Sequence, residues 1–181
     1  GIDVAFRTSD PEHATGLFES GEIDLRLGWL PDPAPSLRMK LLFRDPLVCI
    51  ARRGHPRLKG RISAAQFMEA PHVRVEQPRT RVSTGAVDAA VAALGGRLRI
   101  ALQVQNAFAL AHAVAQSNLL STVPQRLARA MAAHHPLQIL PLPVDVPDAR
   151  IAMYWHESTH KQPAQRWFRQ LLAETARELP A

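Results

Sequence analysis

The sequence is poor in the features that secreted, membrane-bound and many catalytic proteins rely on. Its 181 residues include one cysteine, Cys49, so no internal disulfide can staple the chain. A lone thiol inside an apolar run reads as a core filler in a cytoplasmic protein. No apolar run approaches the roughly 20 residues that a spanning helix requires, and no signal-peptide pattern opens the chain, so no membrane partner is expected. A GxSxG elbow, a CxxC pair, a phosphate-binding glycine loop, an internal repeat and a low-complexity tract are all missing. An enzyme is therefore not expected, and neither is a cofactor or a metal.

What is present suits a packed globular domain. Apolar residues make up 46% of the chain and the net charge is +6, which excludes a disordered chain and supplies a core for one domain or two small lobes. Arg38, Lys40, Arg44, Arg52, Arg53, Arg57, Lys59 and Arg61 crowd one region. With no aromatic residues interleaved to stack on bases, this reads as a solvated basic face rather than a nucleic-acid footprint.

The stretch from Leu41 to Pro56 is extended and apolar, broken once by Asp45-Pro46. Proline removes a ladder donor and biases its predecessor to extended backbone, so the chain is expected to leave one sheet there and enter another. Ile2, Val4 and Phe6 alternate as a strand, and Ser9-Asp10-Pro11-Glu12 opens a helix with Ala14, Leu17 and Phe18 inside, closed by Gly21. Ile23, Leu25 and Leu27 alternate again before a turn at Gly28-Trp29-Leu30-Pro31. Ser63 caps a short helix, and 72–76 is a strand. After the loop 77–82, Ser83 or Thr84 caps a helix that buries Val87, Ala90, Val91 and Leu94. Strand 100–104 is followed by a helix capped by Asn106, which carries Phe108, Ala111, Val114 and Ala115. Strand 119–123 leads into a helix opened by Pro124. A second proline-broken run, 137–143, precedes strand 151–155 and a closing helix with Phe168, Leu171, Leu172, Thr175 and Leu179 inward. Strand and helix alternate throughout, which predicts an α/β fold with mainly parallel sheets.

Two motifs invite metal chemistry and fail on geometry. His156-Glu157-Ser158-Thr159-His160 matches HExxH, but that site needs both imidazoles one helical turn apart, and its approach has strand periodicity. His134-His135 would point about 100° apart on a helix and cannot chelate together.

Phe43-Arg44-Asp45, Val48-Cys49-Ile50-Ala51-Arg52-Arg53, His55-Pro56, Glu19-Ser20-Gly21-Glu22-Ile23-Asp24-Leu25, Trp155-His156-Glu157 and Arg166-Trp167 stand in an order that resembles the effector-binding domain of LysR-type transcriptional regulators. The likeness is to the branch of aromatic-responsive and nodulation regulators, and it runs nearly the whole chain. It implies two Rossmann-like lobes joined by two crossover strands, like type II periplasmic binding proteins. Lobe I would be 1–45 plus 148–181, opening at its second strand, and lobe II 46–147. The family's helix-turn-helix is not found in these residues, so DNA would be held only through that separate part. The resemblance also implies a cytoplasmic regulator that forms homodimers and tetramers and senses a small effector in a cleft between the lobes. The residues expected there are Trp29, Arg79, Thr80, Arg81, Ser83, Asn106, Phe108, Ser121, Thr122 and Val123. An apolar wall with hydroxyls, a helix N-terminus and a guanidinium suits an aromatic carboxylate. The alternative is a periplasmic-type solute-binding protein of the same plan.

Overall fold

At Asp45-Pro46 the chain changes sheets, as the missing proline donor dictates. In the computed structural model, which describes residues 2–9, 13–30, 32–75 and 82–179 and only the backbone of 82–84, β2 (Leu37–Asp45) stops there and β3 (Leu47–Arg52) starts at once. β2 lies in a sheet ordered β1-β8-β2, with β1 Arg26–Gly28 and β8 Ala149–His156. β3 is the centre of a second sheet, between β6 (Ser121–Pro124) and β7 (Leu137–Pro141).

The chain forms two compact units. The first comprises residues up to Phe43 and from Arg150 to Leu179, the second the described residues between Arg44 and Ala149. In the first unit, α1 (Ala14–Glu19) and the sheet bury Ala14, Phe18, Leu30, Leu37, Ala152 and Tyr154 together. Leu30 N–H donates to the Tyr154 hydroxyl at 3.3 Å, which fixes the turn after β1. Two expectations fail in this unit. Residues 2–9 form no strand, and Phe6 is 87% exposed, because alternation specifies a strand only where a neighbour pairs with it. The closing helix α6 (Pro163–Glu178) buries Arg169, Ala173 and Ala176, while Leu171 faces solvent. The inward face is rotated by one residue, because small side chains allow closer packing and the Arg169 guanidinium covers the Trp155 ring at 4.7 Å.

The second unit is layered around β3. Its odd residues, Leu47, Cys49 and Ala51, join a core with Phe67, Val87 and Val91 of α2 (Ala64–Glu69) and α3 (Val82–Ala93). Its even residues, Val48 and Ile50, join Leu110, Val114 and Met131 of α4 (Ala107–Ala115) and α5 (Gln125–His134). A strand covered on both faces has no polar side, hence the unbroken apolar run. Burial pushes the Cys49 thiol up to about 12, so it is inert filler. The expectation of mainly parallel sheets is not met. β4 (Pro71–Val75) and β5 (Arg99–Val104) pair in parallel, but β3 is antiparallel to both neighbours, since β3 and β7 carry the chain across rather than closing strand–helix–strand units.

Candidate functional site

Three strands of the second unit end at one edge. β4 and β5 are parallel as far as Val75 and Val104, and Leu120, leading into β6, bridges His72 in the same direction. Each strand is followed by a helix, so the N-termini of α3, α4 and α5 gather where β4, β5 and β6 finish. Open α/β sheets bind ligands at such an edge, because strand ends leave room there and helix N-termini offer unpaired N–H groups.

The expected site residues are treated unequally by this geometry. Arg79, Thr80 and Arg81 lie outside the described residues. Ser83 is in the first turn of α3, which starts at Val82, so neither it nor Thr84 precedes the helix as a cap. Asn106 does cap α4, accepting from Ala109 N–H at 2.9 Å through Oδ1. Phe108 is 85% exposed, not buried: Leu110, Ala111, Val114 and Ala115 form the packed face of α4, which turns Phe108 outward. Ser121 and Val123 sit opposite Ile50 and Val48 and point to the α4–α5 core, whereas Thr122, opposite Cys49, points to the α2–α3 side. Trp29 belongs to the first unit, half-buried after Gly28, whose φ of +125° only glycine adopts readily.

Thr122 is the member with something left to do. Its Oγ1 is buried and has no hydrogen-bond partner among the described residues. Beside it is a cavity of about 20 Å³, lined among others by His72, Arg74 and Val87, enough for about one water. A buried hydroxyl without a partner costs stability, so its retention at this edge points to a ligand or a solvent molecule.

Three further polar residues of this unit were not singled out from sequence. Asp45, read only as the break before Pro46, is 3% exposed and accepts from Arg126 N–H at 3.2 and 3.3 Å through its two oxygens. The N-terminus of α5 thus already holds a carboxylate. Arg74 forms a two-pronged pair with Asp88 of α3 at 2.8 and 3.0 Å, tying β4 to α3. His72 Nε2–H donates to the Phe67 carbonyl at 2.7 Å, and burial, the largest influence, lowers the ring's pKa from its usual 6.5. The signal for both was the alternation His72-Val73-Arg74-Val75, which puts two polar side chains on one face of a strand.

The HExxH lookalike resolves as strand end and turn. A single 3-10 turn, Glu157–Thr159, follows β8. His156 Nδ1 engages Ser158 Oγ at 2.7 Å, whereas His160 Nδ1 accepts from the Trp155 indole N–H at 3.2 Å. The two rings serve different partners. No group of three metal-ligating side chains occurs among the described residues.

A family model described as the LysR substrate binding domain matches residues 1–177. The chain belongs to the LysR substrate-binding domains. This domain is 35% identical over 156 residues to the HTH-type transcriptional activator NagR of Ralstonia sp, covering 86% of the chain and 51% of that relative. It is 34% identical over 154 residues to the HTH-type transcriptional activator NahR of Pseudomonas putida, covering 85% and 51%. The chain spans about half the length of these relatives. Among solved structures, the regulatory domain of MexT from Pseudomonas aeruginosa has a TM-score of 0.77 at 21% identity, covering 88% of this chain and 77% of that one. The effector-binding domain of QuiR in complex with shikimate has a TM-score of 0.73 at 15% identity, covering 96% and 80%. The domain thus has the fold of LysR regulatory domains, the type II periplasmic-binding-protein plan. Its relatives are transcriptional regulators and not enzymes, and the solute-binding alternative gains no support from them. No helix among the described residues is long and apolar enough to cross a membrane.

Proposed function

We propose that this LysR domain senses a small aromatic carboxylate at the carboxyl edge of β4, β5 and β6. The reading is carried by Thr122 of β6, whose buried hydroxyl has no partner among the described residues and adjoins a small cavity lined by His72, Val87 and Ile100. Ser83 and Asn106 stand at the first turns of α3 and α4, and the N–H groups of a helix start favour an anion. Phe108 presents an exposed ring on α4 for a flat ligand to cover. Arg79, Thr80 and Arg81 supply the charge and hydroxyl in the proposal, and Ser121 and Val123 act from the core behind Thr122. Trp29 completes the set on the strength of the sequence resemblance, as do the lobe boundaries 1–45 plus 148–181 and 46–147.

In the full-length regulator, which we propose to be cytoplasmic and a homodimer or tetramer, a helix-turn-helix outside this chain reads the operator. The effector binds one conformation better than another and shifts the regulator between DNA-binding states. Calorimetry with benzoate, a short aliphatic acid and a neutral aromatic tests the site. Benzoate alone is expected to bind. Thr122→Val removes one hydrogen bond, worth about 0.5–1.5 kcal/mol, and weakens binding roughly three- to tenfold. Arg81→Ala removes a charge-assisted contact and weakens it roughly ten- to hundredfold. Equal binding of the neutral compound, or indifference to both substitutions, rejects the reading.

A further inference from the structure

The net positive charge of this chain lies in one stretch, and seven of the cations in that stretch stand at one end of the folded unit. Thirteen of the 22 Lys and Arg but only six of the 16 Asp and Glu lie between Arg44 and Ala149, so this stretch carries +7 and the rest of the chain −1. Five cations and no carboxylate stand between Leu47 and Met68, and none of the residues from 89 to 144 is acidic. Topology collects these cations. β3 runs antiparallel to β6, and β6 continues the direction of β4 and β5, so the end of β3 meets the starts of the other three strands. Arg52, Arg53, Arg57, Lys59 and Arg61 follow β3 to this pole, and Arg97 and Arg99 open β5 at the same pole. β5 stands three strand spacings, roughly 14 Å, from β3. Among the described residues Glu69 is the carboxylate that opposes them, and it is spent on Arg57 at 2.8 Å. The pole is the opposite end of the sheet from the edge that carries Thr122.

The loop presenting these cations is tied down. Arg52 Nε donates to Asn118 Oδ1 at 3.0 Å, and its Nη1 donates to the Gly54 carbonyl at 2.9 Å. Arg53 is held by its backbone N–H on the Pro136 carbonyl and by Nε on the Leu137 carbonyl at 3.2 Å. Gln138 donates to the Arg52 carbonyl at 2.9 Å and accepts from Gly60 N–H at 3.4 Å. His55 is 7% exposed. Its Nδ1 accepts from Arg57 N–H, so Nε2 carries the proton and donates to the Asn118 carbonyl at 3.3 Å. A buried histidine therefore serves as a strut inside a basic loop. Between these supports opens a pocket of about 420 Å³, walled by Arg53, His55, Lys59 and Gln138. Fixing cations in place removes part of the ordering cost of binding an anion.

We propose that this pole is a contact surface for the phosphodiester backbone of duplex DNA. It adds sequence-independent affinity to whatever a helix-turn-helix reads elsewhere in the regulator. A row of cations wider than a single phosphate fits a polyanion of closely spaced charges. The pole lacks the stacking rings that single strands require. The loop itself offers no apolar insertion of the kind a lipid surface requires, because its Leu58 and Ile62 are buried. The choice of DNA as the polyanion rests on the regulator reading; the binding itself is measured on this chain without any effector, so failure here leaves the effector reading standing.

The test is fluorescence anisotropy of the 181-residue chain with a labelled random-sequence duplex across a salt series. The logarithm of affinity should fall linearly with the logarithm of salt. Each of Arg53→Gln and Lys59→Gln should flatten that slope by about 1. Lys59→Gln removes no hydrogen bond described for the fold, so it remains informative where Arg53→Gln disturbs the loop. The charge-matched controls Arg129→Gln and Arg177→Gln, each alone, should leave the slope unchanged. An equal loss in the controls, stronger binding of a single strand than of the duplex, or full competition by millimolar inorganic phosphate at constant ionic strength would overturn the proposal.

Discussion

At the scale of single residues, polar side chains in the second unit divide into those spent on the fold and those left open. Asn106 is spent, and this was legible in the sequence, since an asparagine directly before an apolar helical stripe is a cap. His72 is spent too, on the Phe67 carbonyl and against the Phe67 ring at 4.7 Å, edge to face. Its lowered pKa gives a pH dependence with a definite sign. Above about 6.5 the ring is neutral in both folded and unfolded chains, and its contribution is complete. As pH falls below 6.5 the unfolded chain takes up a proton that the folded one refuses, so stability is lost until the lowered folded value is passed. His160, also lowered, by burial first and then by Arg38, Arg169 and Arg166, acts in the same direction. Thermal melts should show a lower Tm at pH 5.5 than at 7.5, with His72→Gln showing a smaller drop. An equal drop in the variant would remove His72 from the account. Whether Phe108 is packed or displayed was not legible in the sequence, because an apolar residue in the first turn of a helix carries the same signal either way; it is displayed.

At the scale of elements, the proline breaks and helix caps were legible and the faces were not. Asp45-Pro46 ends β2 where expected, because a missing donor is a property of the residue alone. The capping box at α2 was equally local, with Ser63 Oγ accepting from Gln66 N–H and Gln66 accepting from Ser63 N–H. The inward face of α6, by contrast, depends on Trp155, a residue of another strand that attracts Arg169. For the same reason nothing in the local pattern showed that the Asp45 carboxylate reaches α5, 81 positions along the chain. That contact makes a prediction. Asp45→Asn keeps the size and removes the charge at a helix N-terminus, and should cost about 1–2 kcal/mol of stability. A lower urea midpoint at unchanged slope is the expected outcome; an unchanged midpoint would mean that the carboxylate contributes nothing there.

At the scale of the molecule, two-unit architecture follows from interrupted strands, with β3 buried on both faces and the second unit polarised. One end of its sheet gathers helix N-termini, Thr122 and exposed Phe108, and the other gathers cations on a stitched loop. This division of labour was invisible in the sequence, where the arginines of 52–61 read as an undifferentiated basic face, because only the direction of β3 relative to β6 decides which end they occupy. The carboxyl edge of β4, β5 and β6 is the proposed sensing surface, and backbone amide NMR of the labelled chain titrated with benzoate examines it residue by residue. Saturable shifts should concentrate at residues 82–84, 104–109 and 122–126, with the loop 52–61 unmoved. Shifts confined to the loop 52–61, or a spectrum unchanged at high benzoate, would contradict it.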